Sequence, residues 1–309
     1  MLPTNVIYYG KAERLPEQIA LRAGPLSLVY ENGDLRYIRL GQHEIIRRIY
    51  VAVRDRNWDT VLPALSNVQI EAGADAFRIT YDADHRQGDL RYTWRATIAG
   101  DADGTIRFEM DGQAQTTFLR NRIGFCLLHP DTCAGAAARI EHVDGMVEAS
   151  QFPRYIAPQA VIDGVIHPVY PFAEMRAVSH EAAPEVWAEV RFAGEIFEME
   201  DQRNWIDGSY KTYGTPLRLA FPAEVTAGTR VEQVVTLSLR DDRRPTTDER
   251  RTTTDQRPPT NDDCSTIKVV VRRSSFVVRR SSRSDSVTTC STRVPAATSA
   301  GNARRSGVP

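Results

Sequence analysis

Residues 197–213 hold a high density of side chains that bind polar ligands. Glu198 and Glu200 are candidate catalytic carboxylates, and the candidate binding residues are Asp201, Arg203, Asn204, Trp205, Lys211 and Tyr213. Carboxylates and amides hydrogen-bond to hydroxyl groups, and aromatic rings stack on the C–H surface of a sugar. If the segment begins as a strand, Glu198 and Glu200 share one face. The segment predicts a site for a sugar-sized ligand; the alternative is a solvated edge strand whose Arg–Glu pairs add little stability.

A second candidate lies at the end of an apolar strand predicted over residues 123–128. There His129 precedes Pro130, and an imidazole is the side chain best suited to proton transfer near neutral pH. The alternative is a histidine that is hydrogen-bonded to loop backbone, since the sequence identifies no partner base for it. Asn121 is a further candidate binding residue, and with Arg122 it is expected to face the same cleft.

A third segment, residues 47–60, repeats some of this chemistry. Asp55, Asn57 and Trp58 follow a predicted strand, as the residues around Trp205 do. A loop of this kind could supply a second wall of one site. The alternative is an ordinary polar turn whose Trp58 ring covers the end of the fold.

The elements that must position these residues are strands. Residues 26–40 form a predicted hairpin around Asn32-Gly33, and alternating segments separated by Asp and Gly follow it. Helical patterns are confined to residues 16–22 and 134–140, and a further strand is predicted over residues 217–221. About 240 residues of short strands exceed a seven-stranded immunoglobulin-type sandwich. The prediction is an all-β domain over residues 1–240, a large antiparallel β-sandwich of the mutarotase-like supersandwich type.

The composition changes after Arg240. Residues 241–309 are about half Arg, Ser and Thr, and they contain no Leu, Trp, Tyr, Met or His. Such a composition predicts a disordered tail rather than a packed domain. Our hypothesis is that the segment is out-of-frame translation of GC-rich coding sequence; the alternative is a genuine basic tail.

Charge and the missing motifs exclude several functions. The net charge of −1 over 309 residues gives no basis for binding nucleic acid or an acidic membrane. No apolar run approaches the ~20 residues of a membrane span, and no signal peptide is evident, so a cytoplasmic location is expected. Cys126 and Cys133 lack metal-ligand spacing and are expected to be buried thiols. A phosphate loop, a nucleophile elbow and a zincin motif are also missing, which argues against nucleotide use, serine-esterase chemistry and zincin chemistry. No cofactor and no metal ligands are assigned, although Glu198 and Glu200 on one face could orient hydroxyl groups or bind a metal.

Residues 197–205, together with Lys211, Thr212 and Tyr213, resemble the D-apionate lactonase family. Residues 47–55 and 121–130 fit the N-terminal region of that family, and the resemblance covers residues 5–240. It implies a carboxylic-ester hydrolase that opens D-apionolactone to D-apionate in apiose catabolism. Family members continue into a barrel-type domain and a C-terminal β-domain, which this sequence does not match beyond Arg240. The chain is therefore expected to be a truncated N-terminal domain that forms one wall of the pocket and is inactive without the barrel.

Two other functions stay open. One is a noncatalytic β-sandwich that binds carbohydrate or packs against another domain; in that case residues 197–213 would spread over an exposed face. The other is a mutarotase-like sugar epimerase with His129 and a glutamate as acid and base. That mechanism requires the two groups to face each other across a gap of ~5–9 Å, which is enough to hold a sugar.

Overall fold

The computed structural model describes residues 2–10, 12–13, 15–158, 160–162, 165–167, 170–204 and 207–241. These residues all lie in the first of the two units into which the chain divides, residues 1–254. Two parts of the predicted organisation lie outside the described residues: Trp205, and residues 242–309. Residues 242–309 make up nearly all of the predicted tail.

Antiparallel strands dominate the described residues. Among these residues there is one α-helix, α1 (Thr4–Tyr9), and there are two 3-10 turns, Asp131–Cys133 and Gln202–Asn204. The strands are β1 (Gln18–Ala23), β2 (Leu26–Glu31), β3 (Asp34–Leu40), β4 (His43–Asp55), β5 (Pro63–Ala72), β6 (Phe77–Gln87), β7 (Leu90–Gly100), β8 (Ile106–Ala114), β9 (Phe118–Pro130), β10 (Ala137–His142), β11 (Val147–Gln151), β12 (Ala160–Ile162), β13 (Val165–His167), β14 (Phe172–Ala183), β15 (Val186–Ala193), β16 (Phe197–Asp201), β17 (Ser209–Gly214), β18 (Ala223–Val225) and β19 (Arg230–Asp241).

The strands form two layers that share one strand. The first layer runs β1-β2-β3-β4-β9-β17-β16, and the second runs β5-β6-β7-β8-β19-β15-β14-β10-β11. Strand β14 joins them, because Phe172 pairs with Met199 of β16 whereas Ala177 pairs with Arg191 of β15. All pairings among the described strands are antiparallel. The predicted all-β fold, a large antiparallel β-sandwich, is confirmed.

A large apolar core fills the space between the layers. In β7 and β8 every second residue is buried, as expected for strands with one face on a core. Across the layers, the rings of Phe108 on β8 and Phe125 on β9 lie 4.9 Å apart. The Tyr81 hydroxyl on β6 donates a hydrogen bond to the carbonyl of Gly33, at 2.7 Å. Burial of each aromatic ring of this kind contributes about 1.5–3 kcal/mol.

The predicted hairpin at Asn32-Gly33 is confirmed. Asn32 and Gly33 have φ values of 46° and 91°, and they connect β2 to β3 with Glu31 opposite Asp34. Positive φ at both turn residues is the conformation that an Asn-Gly pair favours between two strands.

Three other secondary-structure predictions were wrong. The segments 16–22 and 134–140 are not helical; most of each lies in β1 and β10, where Leu21, Ala23, Ala138 and Ile140 alternate into the core. Tertiary pairing with β2 and β14 outweighs the weak helical pattern. Residues 217–221 form turns and bends, and the short strand β18 begins after them.

Gly124, in the middle of strand β9, has a φ of 148°. The Gln233 side chain of β19 fills the space beside it: its Oε1 accepts a hydrogen bond from the Phe125 backbone N–H at 2.9 Å. A Cβ atom at position 124 would lie 2.4 Å from that oxygen. A larger residue at position 124 would adopt a strained backbone conformation and displace the Gln233 amide that binds the Phe125 backbone of the other layer.

Candidate functional site

The hairpin of β16 and β17 brings together four of the predicted site residues. Glu198 lies opposite Tyr213, and Glu200 lies opposite Lys211. Alternation therefore places these four side chains on one face of the first layer. None of them is more than 9% exposed. The two carboxylates share a face as the sequence predicts, but that face is buried rather than a solvated edge.

Strands β9 and β4 extend this face. Cys126 pairs with Tyr213 and with Tyr50, and Arg122 pairs with Arg54. We call the set that shares this surface the polar face; its members are Tyr50, Arg54, Arg122, Glu198, Glu200, Lys211 and Tyr213. The guanidinium carbon of Arg122 lies 3.6 Å from the centre of the Tyr213 ring, which shows that the two strands contribute to one cluster.

Side chains from outside the first layer cover the polar face. Tyr170 and Leu217 pack against the Tyr213 and Cys126 side chains. The Leu217 backbone N–H also donates a hydrogen bond to Glu198 Oε1, at 2.7 Å. Because water is largely excluded, charges and dipoles here interact more strongly than they would in solvent.

Burial sets the protonation behaviour of this cluster. It lowers the pKa of Lys211; Arg122 and Arg54 lower it further, while Cys126 and Glu200 oppose the shift. Burial, and next the charge of Glu198, raise the pKa of Tyr213 well above its ordinary value. Burial also raises the pKa of Tyr170 to about 12. The phenols are therefore neutral hydrogen-bond donors, and Lys211 loses its proton more easily than a solvated lysine does.

His129 lies on the opposite face of the same sheet. It pairs with Tyr210, one residue out of phase with Lys211, and its Nε2 lies 3.0 Å from Thr212 Oγ1. The ring is fully buried 6.0 Å from the His180 ring. Burial, and then His180, lower the pKa of His129 to about 3. The structure thus does not bring His129 and a glutamate to face each other, which is the arrangement that the epimerase mechanism requires.

Asp201 and Arg203 bind each other rather than the polar face. Two guanidinium nitrogens of Arg203 contact the two Asp201 oxygens at 2.9 and 2.8 Å. Arg203 also donates to the carbonyl of Pro153 at 2.8 Å, and the Tyr210 hydroxyl donates to the same oxygen at 2.6 Å. The pair anchors the loop after β11 to the sheet, so a ligand-binding role for either residue stays a prediction.

The structure separates Asn121 from Arg122. The Asn121 amide donates to the carbonyl of Arg56 at 3.1 Å, on the side of β9 away from the polar face. Asp55 accepts backbone N–H bonds from Asn57 and Asp59, as in an ordinary polar turn. The Trp58 ring does reach the site, because the Arg122 guanidinium carbon lies 5.6 Å from its centre.

Two predicted binding residues have no described side chain. Asn204 ends the 3-10 turn Gln202–Asn204, but its side chain is outside the described part of the chain, as is all of Trp205. Sequence reasoning missed the contributions of Tyr50 and Arg54. The sequence shows that Tyr50 and Arg54 share one face of a predicted strand, because they are four residues apart. It does not show that this strand, β4, pairs with β9.

Two classes of site are not found in the described ranges. Among those residues no group of three or more His, Cys, Asp or Glu side chains is arranged to hold a metal ion. The same part of the chain contains no helix that is long and apolar enough to cross a membrane.

The geometry defines a class: a two-layer antiparallel β-sandwich with a covered polar face of acids, bases and phenols. Residues 6–242 match the family model described as the N-terminal domain of D-apionate lactonase. The chain therefore belongs to that family. It is 39% identical over 240 residues to the D-apionate lactonase of Brucella anthropi, covering 77% of this chain and 38% of that protein. The chain thus spans well under half the length of this curated relative.

Solved structures show weaker similarity. A putative aldose 1-epimerase from Escherichia coli K12 aligns with a TM-score of 0.44 at 12% identity, covering 73% of this chain and 99% of that one. Galactose 1-epimerase from Lactobacillus acidophilus aligns with a TM-score of 0.44 at 6% identity, covering 76% of this chain and 97% of that one.

Proposed function

We propose that the chain is the N-terminal domain of a carbohydrate lactonase that hydrolyses D-apionolactone to D-apionate in apiose catabolism. The observation that carries this proposal is the family match over residues 6–242, supported by the identity to the Brucella anthropi protein. We further propose that this domain forms one wall of the substrate pocket and is inactive without the remainder of such a protein. The cytoplasmic location and the missing barrel partner stay predictions.

The polar face supplies chemistry that suits this reaction. Lactone hydrolysis needs a base that activates water and a positive charge or donor near the developing oxyanion. Glu198 and Glu200 are the candidate bases, and Lys211, opposite Glu200, is the candidate cation. The neutral hydroxyl groups of Tyr170 and Tyr213 can donate hydrogen bonds to a carbonyl or a sugar oxygen. The catalytic carboxylates of the whole enzyme can equally lie on the opposing domain, because sites commonly form between domains.

The test is hydrolysis of D-apionolactone by the 309-residue chain, followed as acid release in a pH-stat. We expect no rate above the buffer when the chain is alone. We expect hydrolysis when it is mixed with the segment of the Brucella anthropi lactonase that it does not match. The variant E200Q should lower the rate of the mixture, and R95Q on the second layer serves as the matched surface control.

Other outcomes would change the proposal in defined ways. Hydrolysis by the chain alone would contradict the one-wall model and place the complete site on this domain. Binding of the lactone without hydrolysis, alone or in the mixture, would favour the noncatalytic carbohydrate-binding function. If the lactone is neither bound nor hydrolysed, domain packing remains as the function.

A further inference from the structure

Arg122 is a buried cation that forms no ion pair among the described residues, although Glu198 and Glu200 lie on the same face. Arg122 is only 5% exposed. Within the described residues it forms no ion pair and no hydrogen bond, and its Nε is buried without a partner. Burying a guanidinium in this way is costly unless something else satisfies it.

Aromatic rings hold the guanidinium in place. Its central carbon lies 3.6 Å from the centre of the Tyr213 ring and 5.6 Å from that of Trp58. Stacking of this kind offsets part of the desolvation cost, but Nε stays buried without an acceptor, and no described residue accepts a hydrogen bond from the terminal nitrogens. The N–H groups on these nitrogens form a planar fork whose geometry matches a carboxylate.

The charge of the surroundings points to an anion. The polar face contains three cationic side chains, Arg54, Arg122 and Lys211, and two anionic ones, Glu198 and Glu200. Arg48, the next basic residue in phase on β4, is already paired with Asp34 at 2.6 Å. The cluster thus has room for one more negative charge before it is electrically balanced.

We infer that Arg122 is the anion-binding residue of the polar face, and that it binds the carboxylate of a polyhydroxylated acid, an aldonate, through two parallel N–H bonds. This inference rests on the proposed function, because an aldonate is the product of opening a sugar lactone. The domain therefore distinguishes the ring-opened acid from neutral sugars of the same size.

The experiment is isothermal titration of the 309-residue chain with sodium D-apionate and with the branched pentitol in which its carboxylate is reduced to CH₂OH. We expect D-apionate to bind at least about tenfold more tightly than the pentitol. The variant R122Q should weaken D-apionate binding by about 10–100-fold, the effect of removing hydrogen bonds to a charged group, and leave pentitol binding unchanged. R122K keeps the charge without the fork and should be intermediate.

The matched control is R95Q, which removes an exposed arginine paired with Asp82 on the second layer; its binding should equal that of wild type. Circular dichroism and urea unfolding establish that each variant is folded. If R122Q does not fold, the ratio of D-apionate to pentitol affinity in R122K decides. No D-apionate binding by wild type, equal binding of acid and pentitol, or an unchanged ratio in folded R122 variants would overturn the inference.

Failure of this inference is distinguishable from failure of the proposed reaction. The titration involves no turnover, so Arg122-dependent D-apionate binding stands even if no lactone is hydrolysed. Conversely, if the mixture hydrolyses the lactone but R122Q leaves D-apionate binding unchanged, the reaction is supported and the carboxylate-binding role is removed.

Discussion

Strands β9, β17 and β16 carry polar residues on both faces, and the two faces use them in opposite ways. On the polar face, Arg122 forms no ion pair among the described residues and its Nε has no hydrogen-bond partner, and Lys211 lies opposite a carboxylate. On the other face, which we call the core face, Asp201 is bonded to Arg203, and His129 packs on Phe152. Polarity alone therefore does not identify the site. Both faces hold buried atoms without a hydrogen-bond partner, and what distinguishes the faces is charge: on the polar face one such atom belongs to the guanidinium of Arg122, whereas on the core face the Nδ1 atoms of His129 and His180 belong to imidazoles whose pKa burial lowers.

The largest expected effect comes from the ring at the centre of the core face. Phe152 is fully buried, and its ring centre lies 5.0–5.7 Å from those of His129, Phe172, His180 and Tyr210. Phe152→Ala should lower the free energy of unfolding by about 3–5 kcal/mol, measured by urea denaturation. Tyr155→Ala, three residues away at a side chain that is 83% exposed, should change it by less than about 0.5 kcal/mol. Equal effects would mean that Phe152 does not anchor its loop.

The next largest effect on the free energy of unfolding is expected from one of two carboxylates on β16. Asp201→Asn removes a charge that Arg203 binds through two nitrogens and should cost about 3 kcal/mol, because the guanidinium, whose side chain is 10% exposed, loses its counter-charge. Glu198→Gln keeps an oxygen that can accept the Leu217 N–H, so it should cost less than about 1 kcal/mol. Both values come from urea denaturation at pH 7. A reversed order would show that Glu198, not Asp201, is the structural carboxylate.

Acid should destabilise the core face. Burial lowers the pKa of His129 to about 3 and that of His180 to about 4, below the ordinary value of 6.5 that applies in the unfolded chain. The unfolded chain then binds protons that the folded chain does not. Stability is complete above pH 6.5 and falls below it by about 1.4 kcal/mol per pH unit for each histidine.

Urea denaturation of wild type, His129→Gln and His180→Gln at pH 7, 6 and 5 measures this dependence. In each variant, the free energy of unfolding should fall with pH about half as steeply as in wild type. Between pH 8 and 7 the free energies of unfolding of the three proteins should change with pH in the same way. A wild-type slope near zero below pH 6.5 would mean that both imidazoles become protonated in the folded state.

The smallest effect concerns Lys211. Burial lowers its pKa from 10.5, so the unfolded chain keeps this proton where the folded chain begins to lose it, and stability rises as pH approaches 10.5. Lys211→Met should abolish that rise and leave the free energy of unfolding at pH 7 unchanged or higher by about 1 kcal/mol. Urea denaturation at pH 7, 8 and 10 compares the two. A strong loss of stability in the variant would assign Lys211 to the fold rather than to the ligand.

Much of the architecture is readable from the sequence because it is local. Alternating burial and the Asn32-Gly33 turn specify strands and a hairpin over distances of a few residues. The phase of β16 also predicts that Glu198 and Glu200 share a face. The weak helical patterns at residues 16–22 and 134–140 failed because long-range pairing decided those segments.

The composition of the site was less predictable because it depends on pairing between distant strands. Residues 48–55 lie beside β9, and β9 lies beside β17, so Arg54 comes within electrostatic range of Lys211 only in the folded sheet. The sequence groups Glu200 with Asp201 and Asn121 with Arg122 by proximity. A strand places such neighbours on opposite faces. Glu200 and Arg122 therefore lie on the polar face, whereas Asp201 and Asn121 do not.

The strand order also determines when the domain can complete its sheets during synthesis. Strands β1–β4 and β9 can pair early, and so can β5–β8, but β9 and β8 then form open sheet edges. Those edges are closed by β17 and β19, which are made about 80–120 residues later. At ribosomal rates of about 5–20 residues per second, the backbone groups at the β9 and β8 edges remain unpaired for several seconds or longer. Folding is therefore expected to be slow and late, and the nascent chain is most prone to aggregation before Asp241, the last residue of β19, emerges.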